Sequence, residues 1–133
     1  MNRDRLLLTP RGTQSLYLKD ALLHRQIIST LERLYQSWGY VPAETPLIDY
    51  HDAYAELMTK GARHETYRMI DRDGEVLMLR SDVTLFLAKQ LGLNVREEDL
   101  PVRVWYADSI LRHQEAHDLS RDEFFQTGVE LIG

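Results

Sequence analysis

Cysteine is absent from the 133 residues. Disulfide staples, Cys-based zinc sites and a cysteine nucleophile are thereby excluded, and a chain without staples fits a reducing, cytoplasmic setting. A cationic surplus is absent too, with 16 Lys and Arg against 21 Asp and Glu and a net charge of −5. That balance argues against a general nucleic-acid coat, because backbone binding draws on excess Lys and Arg, although a local basic patch stays open. No apolar run approaches the roughly 18 residues of a membrane span. Leu6-Leu7-Leu8 is too short for a signal-peptide core, and Pro10 and Arg11 interrupt it. Gly-rich phosphate loops, nucleophile elbows and zinc-protease motifs are missing. His24, His51, His64, His113 and His117 show no metal-ligand spacing, since the last two, four apart, fall in a loop.

What is present is a core. Apolar residues make up 44% and charged residues 28%, a globular balance. The length suits one domain over residues 1–133, expected to be soluble and cytoplasmic. There is no repeat, low-complexity tract or linker.

The strongest helix signal is Leu16, Leu23, Ile27, Leu31, Leu34, Tyr35 and Trp38, at three- and four-residue steps and stopped by Gly39. Pro10-Arg11-Gly12-Thr13 before it reads as an ordered turn. After it, Pro42 and Pro46 restrict residues 40–46 to an edge strand or extended arm. Asp49 or Asp52 is expected to cap a short helix through Tyr54, Leu57 and Met58, and residues 60–64 read as a loop. Asp73-Gly74 between residues 67–71 and 76–80 is a strong hairpin signal. Ser81 or Asp82 then caps a helix carrying Leu85, Leu87, Ala88 and Leu91, with Gly92 as its stop. Strands follow at 102–111 and 123–132, joined by the polar loop 113–121. The order predicts an α+β fold with an antiparallel sheet and flanking helices. An apolar strand this close to the last residue calls for a neighbour on its free side, from further chain or from another copy.

Alternation on the last strand places Gln126, Gly128 and Glu130 on one face, and Phe125, Thr127, Val129 and Leu131 on the other, read as the core face. An amide and a carboxylate flanking a bare Cα make room for a ligand against the sheet. The competing reading is a solvent-facing outer surface. Arg112, at the end of the preceding strand, is placed to reach the same face and suits a phosphate or carboxylate oxygen, or it is a surface arginine. Asp82 and Thr84 cap their helix, or supply oxygen acceptors to an ammonium group.

Several segments together carry a resemblance. They are Pro10-Arg11-Gly12-Thr13, Trp38-Gly39-Tyr40 with Thr45-Pro46-Leu47, Tyr67 and Asp71 before Asp73-Gly74, Leu79 to Thr84, Tyr106-Ala107 before Ile110-Leu111-Arg112, and Phe124 to Gly133. In this order they resemble the N-terminal part of the class II histidyl-tRNA synthetase catalytic domain. They are closer still to its paralogue, the regulatory subunit of ATP phosphoribosyltransferase in histidine biosynthesis. The resemblance implies a partial class II fold with motifs 1 and 2; motif 3 and the second histidine-binding segment are not covered. It implies a homodimer through the first helix and the 40–46 arm. It also implies a histidine site, in which Asp82, Thr84 and Gln126 hold the α-ammonium, Arg112 meets the carboxylate and Glu130 faces the imidazole.

Departures separate the two relatives. Synthetases usually carry Pro-Glu-Gly where this chain has Ser81-Asp82-Val83, and a glutamate for adenine where it has Gln114. Asp122 and Glu123 put carboxylates where a triphosphate must sit, which is unfavourable. The resemblance therefore favours a non-catalytic, histidine-binding regulatory subunit without cofactor, partnered by a short catalytic subunit. The alternatives are a synthetase fragment, which would use ATP, Mg²⁺ and tRNA, and a dimerising remnant that binds nothing.

Overall fold

The computed structural model describes residues 6–114 and 121–133. Helix α1 (Leu18–Ser37) opens the fold, and Gly39 at φ 78° ends it as expected. The arm contributes a two-residue strand, β1 (Val41–Pro42), which pairs parallel with β5 (Val102–Leu111). Pro42 has no N–H to give, and an edge is where that costs nothing. β5 and β6 (Glu123–Ile132) form a ten-residue antiparallel pair, completing a sheet of order β1-β5-β6.

A second sheet has the order β2-β4-β3, from β2 (Ile48–Tyr50), β3 (Arg68–Ile70) and β4 (Val76–Leu79). Its β3–β4 hairpin is the Asp-Gly hairpin read from sequence, with Gly74 at φ 89°. Asp71 fixes the turn by accepting from the amides of Asp73 at 2.8 Å and Glu75 at 2.9 Å.

Helix α4 (Val83–Asn94) lies between the two sheets. Val83 and Leu87 join Val104, Tyr106 and Ile110 in one buried cluster. Phe86 points the other way, to Tyr54, Met58 and Met78, and its ring stacks on Tyr54 at 4.8 Å. A helix covered on both sides needs no polar face, which is why its sequence is apolar almost all round. Gly92 does not stop it: the helix runs on to Asn94, and a Cβ at Gly92 would meet nothing within 4 Å.

Three other expectations change. Residues 60–64 are helical, inside α3 (Lys60–Glu65), because Thr59 caps the Ala62 amide at 3.2 Å. Neither Asp49 nor Asp52 caps α2 (Asp52–Ala55), which follows His51 without a side-chain cap. Asp49 instead sits in β2, accepting from the Tyr54 hydroxyl at 2.6 Å and pairing with Lys89 at 2.7 Å. Finally, Val129 and Leu131 are not core but 39% and 57% exposed. The buried core lies on the opposite face, against α4. The outer face meets α1, through His24 on Phe125 and Tyr35 near Trp105. No residue of α1 is buried, so much of its apolar stripe faces outward.

Among the described residues, no helix is long and apolar enough to cross a membrane, and no group of three or more His, Cys, Asp or Glu is placed to hold a metal ion. His117 and most of the 113–121 loop lie outside the described residues.

Candidate functional site

The β5–β6 register decides what stands over the site. Val104 faces Glu130, Tyr106 faces Gly128 and Asp108 faces Gln126. Opposed residues in an antiparallel pair share a face, so Gln126, Gly128 and Glu130 lie together on the face that packs against α4.

The bare Cα of Gly128 does leave space, but a side chain of this chain fills it. A Cβ there would lie 2.6 Å from the Tyr106 hydroxyl oxygen. Glycine at 128 thus admits the Tyr106 phenol, not a ligand. That hydroxyl is 3.0 Å from Thr84 Oγ1, and Thr84 donates to Glu130 Oε1 at 2.8 Å. Burial, followed by the nearby carboxylates of Glu130 and Asp82, raises the Tyr106 pKa, while Thr84 opposes the rise.

Gln126 works at the N-terminus of α4. Its Oε1 accepts from the Val83 amide at 2.8 Å, and its Nε2 lies 3.3 Å from Asp82 Oδ2. Asp82 is the N-cap, accepting from the Leu85 amide at 3.1 Å. The cap expected from sequence is therefore real, and it belongs to Asp82, not Ser81. Ser81 contributes its carbonyl, which takes Arg112 Nη2 at 3.1 Å and Nε at 3.3 Å. Arg112 also lies 3.6 Å from Asp82 Oδ2 and covers the Phe124 ring at 5.6 Å.

All five residues singled out from sequence thus lie around the first turn of α4, in two hydrogen-bonded groups: Asp82 with Gln126 and Arg112, and Thr84 with Glu130. They do not share a single open cavity. Asp82 and Arg112, each about one-third exposed at 35% and 33%, line a cleft of about 190 Å³ with Met58, Ala62, Glu65 and Leu85. Thr84, Gln126 and Glu130, half-buried as well, are tied to Tyr106 and the α4 backbone.

Sequence reasoning missed three contributors. Tyr106 becomes visible only when the register sets it across Gly128. Arg80, 3% exposed, ties the turn before Asp82 to its surroundings. Asp122 is a buried hub, taking the Tyr67 hydroxyl, the Gln114 amide at 3.2 Å and His113 Nδ1 at 3.4 Å. The Tyr67 bond dominates in holding its pKa below the ordinary value, with burial opposing. Its charge is turned inward rather than presented to a ligand, whereas Glu123 is exposed. The carbonyl of Gly12, a residue at φ 79°, accepts from the amides of Asp122 and Glu123, so the Pro10–Thr13 turn docks here.

A long antiparallel pair ending in an arginine, backed by a helix whose acidic N-cap meets that arginine, matches what the resemblance to a class II aminoacyl-tRNA synthetase catalytic domain implies. The solved structures agree. The chain superimposes at TM-score 0.82 on an ATP phosphoribosyltransferase regulatory subunit/histidyl-tRNA synthetase from Bacillus halodurans, with 25% identity, over 96% of this chain and 33% of that one. It superimposes at 0.79 on a histidine–tRNA ligase subunit from Alicyclobacillus acidocaldarius, also 25% identical, over 94% of this chain and 35% of that one. The histidyl-tRNA synthetase family profile matches residues 12–133, and the chain belongs to that family. Among curated relatives, it is 33% identical over 125 residues to the ATP phosphoribosyltransferase regulatory subunit of Symbiobacterium thermophilum, covering 93% of this chain and 31% of the relative. It is 34% identical over 124 residues to that of Moorella thermoacetica, covering 93% and 32%. The chain therefore spans about a third of the length of these relatives.

Proposed function

We propose that the chain forms the amino-acid-binding part of a regulatory subunit of the ATP phosphoribosyltransferase type, which binds histidine without activating it. The observation that carries this reading is the convergence of Asp82, Thr84, Gln126 and Glu130 beside Arg112 at one helix N-terminus. An ammonium needs oxygen acceptors, a carboxylate suits a guanidinium, and an imidazole N–H suits a carboxylate. Two of the longest contacts there, Gln126 to Asp82 at 3.3 Å and Arg112 to Asp82 at 3.6 Å, are ones a ligand ammonium and carboxylate would exchange at low cost.

The site is poorly furnished for ATP. Transfer at a phosphoryl centre draws on several converging cations, and among these five residues Arg112 is the single cation, already bound to the Ser81 carbonyl. The Gln114 amide is held by Asp122. These residues do not fit a triphosphate, and no adenylation step is derived from them. The partners of this reading are histidine, a short catalytic subunit and a second copy docked through α1 and the 40–46 arm, in the cytoplasm. tRNA enters only if the chain is part of a synthetase.

Calorimetry with histidine tests the reading. Binding is expected, and Glu130→Gln weakens it by about 1–3 kcal/mol through loss of a charge-assisted bond. Unchanged affinity removes Glu130 from the site, and absence of binding by the unsubstituted chain removes the reading. Histidine-dependent ATP–pyrophosphate exchange is expected to be nil; robust exchange would restore the synthetase alternative.

A further inference from the structure

Arg80 follows β4 and is 3% exposed. A buried guanidinium is costly unless its donors are met, and here they are met from two directions. Nη1 donates to the Thr45 carbonyl at 2.7 Å, to Thr45 Oγ1 at 3.1 Å and to the Pro46 carbonyl at 3.4 Å. Nε and Nη2 share the Ser109 carbonyl at 3.1 and 2.9 Å, and Nη2 pairs with Asp108 at 2.8 Å. The backbone repeats the pattern: the Arg80 amide donates to the Leu47 carbonyl at 2.8 Å, and the Leu111 amide donates to the Arg80 carbonyl at 2.9 Å.

One residue therefore holds the end of the arm on one side and the end of β5 on the other. Its own chain continues directly into Ser81 and Asp82, and Leu111 continues directly into Arg112. Asp82 thus lies two residues beyond Arg80, and Arg112 lies one residue beyond Leu111, whose amide the Arg80 carbonyl holds. The arm it grips borders an open cleft of about 550 Å³, lined by Glu32, Ala43, Glu44, Thr45, Trp105 and Asp108, so it has room to shift. A planar fork with five donors suits this many-sided contact, and a lysine ammonium does not reproduce it.

We propose that Arg80 is a positioning residue that couples the 42–47 arm to the Asp82–Arg112 pair, so that a displacement of the arm changes the geometry of that pair. The coupling is a property of the ligand-free chain; its consequence for histidine rests on the function proposed above. It makes the arm a place from which a neighbour packed into the cleft adjusts the amino-acid site without touching it.

Amide hydrogen exchange on the chain tests this. Thr45→Val removes one arm partner of Arg80 and touches none of the five site residues. It is expected to speed exchange at the Leu85 amide, which Asp82 caps, and at the Leu111 amide. Arg80→Lys is expected to speed both by about tenfold, the scale of losing charge-assisted bonds, while Trp105 and Val129 in the middle of the sheet stay unchanged. In the Arg80→Lys background, Thr45→Val should add nothing further at Leu85 and Leu111. Additive effects, or acceleration confined to residues 45–47, would overturn the coupling. So would acceleration of all amides together, because that is what a merely structural arginine produces. Should Arg80→Lys not fold, Thr45→Val alone decides through Leu85 and Leu111. Histidine titration of the unsubstituted chain is scored separately: no binding with intact non-additivity removes the histidine reading and leaves the coupling, and binding with additive effects does the reverse.

Discussion

Gly128 and Tyr106 carry a mutual requirement that no composition or spacing reveals. Alternation along β6 is local, so the shared face of Gln126, Gly128 and Glu130 was legible from sequence. What stands above that face depends on which β5 residue is opposite, and register is set by a partner strand roughly twenty residues away. The gap left by a missing side chain was read as room for a ligand, and the register gives it to a phenol. Gly128→Ala places a Cβ 2.6 Å from the Tyr106 hydroxyl oxygen and 2.9 Å from the ring carbon that bears it. Tyr106 is 6% exposed and tied to Thr84, so it has little freedom to withdraw. The expected cost is about 1–3 kcal/mol, the range for overpacking, read from urea unfolding midpoints. Tyr106→Phe in the same chain removes the nearest atom, so the double variant should lose less than the sum of the singles. Strict additivity would show that the two residues do not compete for one space.

At the scale of elements, the strands and hairpin were legible because their signals are local: β6 has the predicted bounds, and the Asp-Gly turn forms with Asp71 as its anchor. Helix α3 was not, because Gly61 and the charges around it masked a Thr59 cap that only geometry shows. The apolar faces were harder still. Leu22, Leu23 and Leu34 on α1, and Trp38 directly after it, are 60%, 55%, 50% and 70% exposed. A stripe that repeats at helical spacing and stays outside is suited to burial against another surface. The proposed occupant is the α1 and arm of a second copy. Leu23→Asp is then expected to shift the chain from dimer to monomer in sedimentation equilibrium, since a charge cannot be buried there unpaired. A chain that is monomeric before substitution would sink that assignment.

The whole molecule is held at two places by ionisable groups that join segments far apart in sequence, which puts its pH dependence within reach of argument. Asp49 links β2 to Tyr54 and, through Lys89, to α4. Burial pushes its pKa up, but the bonds from Lys89 and Tyr54 prevail and hold it below the ordinary 3.8. Asp122 links the Gly12 turn, Tyr67 and the residues after Arg112, and it too lies below 3.8. A carboxyl depressed in the fold takes up its proton first in the unfolded chain. The stability it contributes is complete above the unfolded value and is lost as pH falls through the folded one. The phenols act at the other limb. Tyr54 and Tyr106, raised chiefly by burial, and Tyr67, raised chiefly by its bond to Asp122, all lie above 10.0. The unfolded chain ionises these first, so their contribution is lost as pH climbs past that value. Urea midpoints should therefore hold level across neutral pH, fall below about 4 and fall again above about 10, near the reference carboxyl and phenol values. Asp122→Asn should lower the plateau and flatten the acid limb, because the group that titrates is gone while its partners Tyr67 and Gln114 remain. An acid limb of unchanged steepness in both Asp49→Asn and Asp122→Asn would mean that other carboxylates set the acid limit, and that these two ties are not what joins the segments.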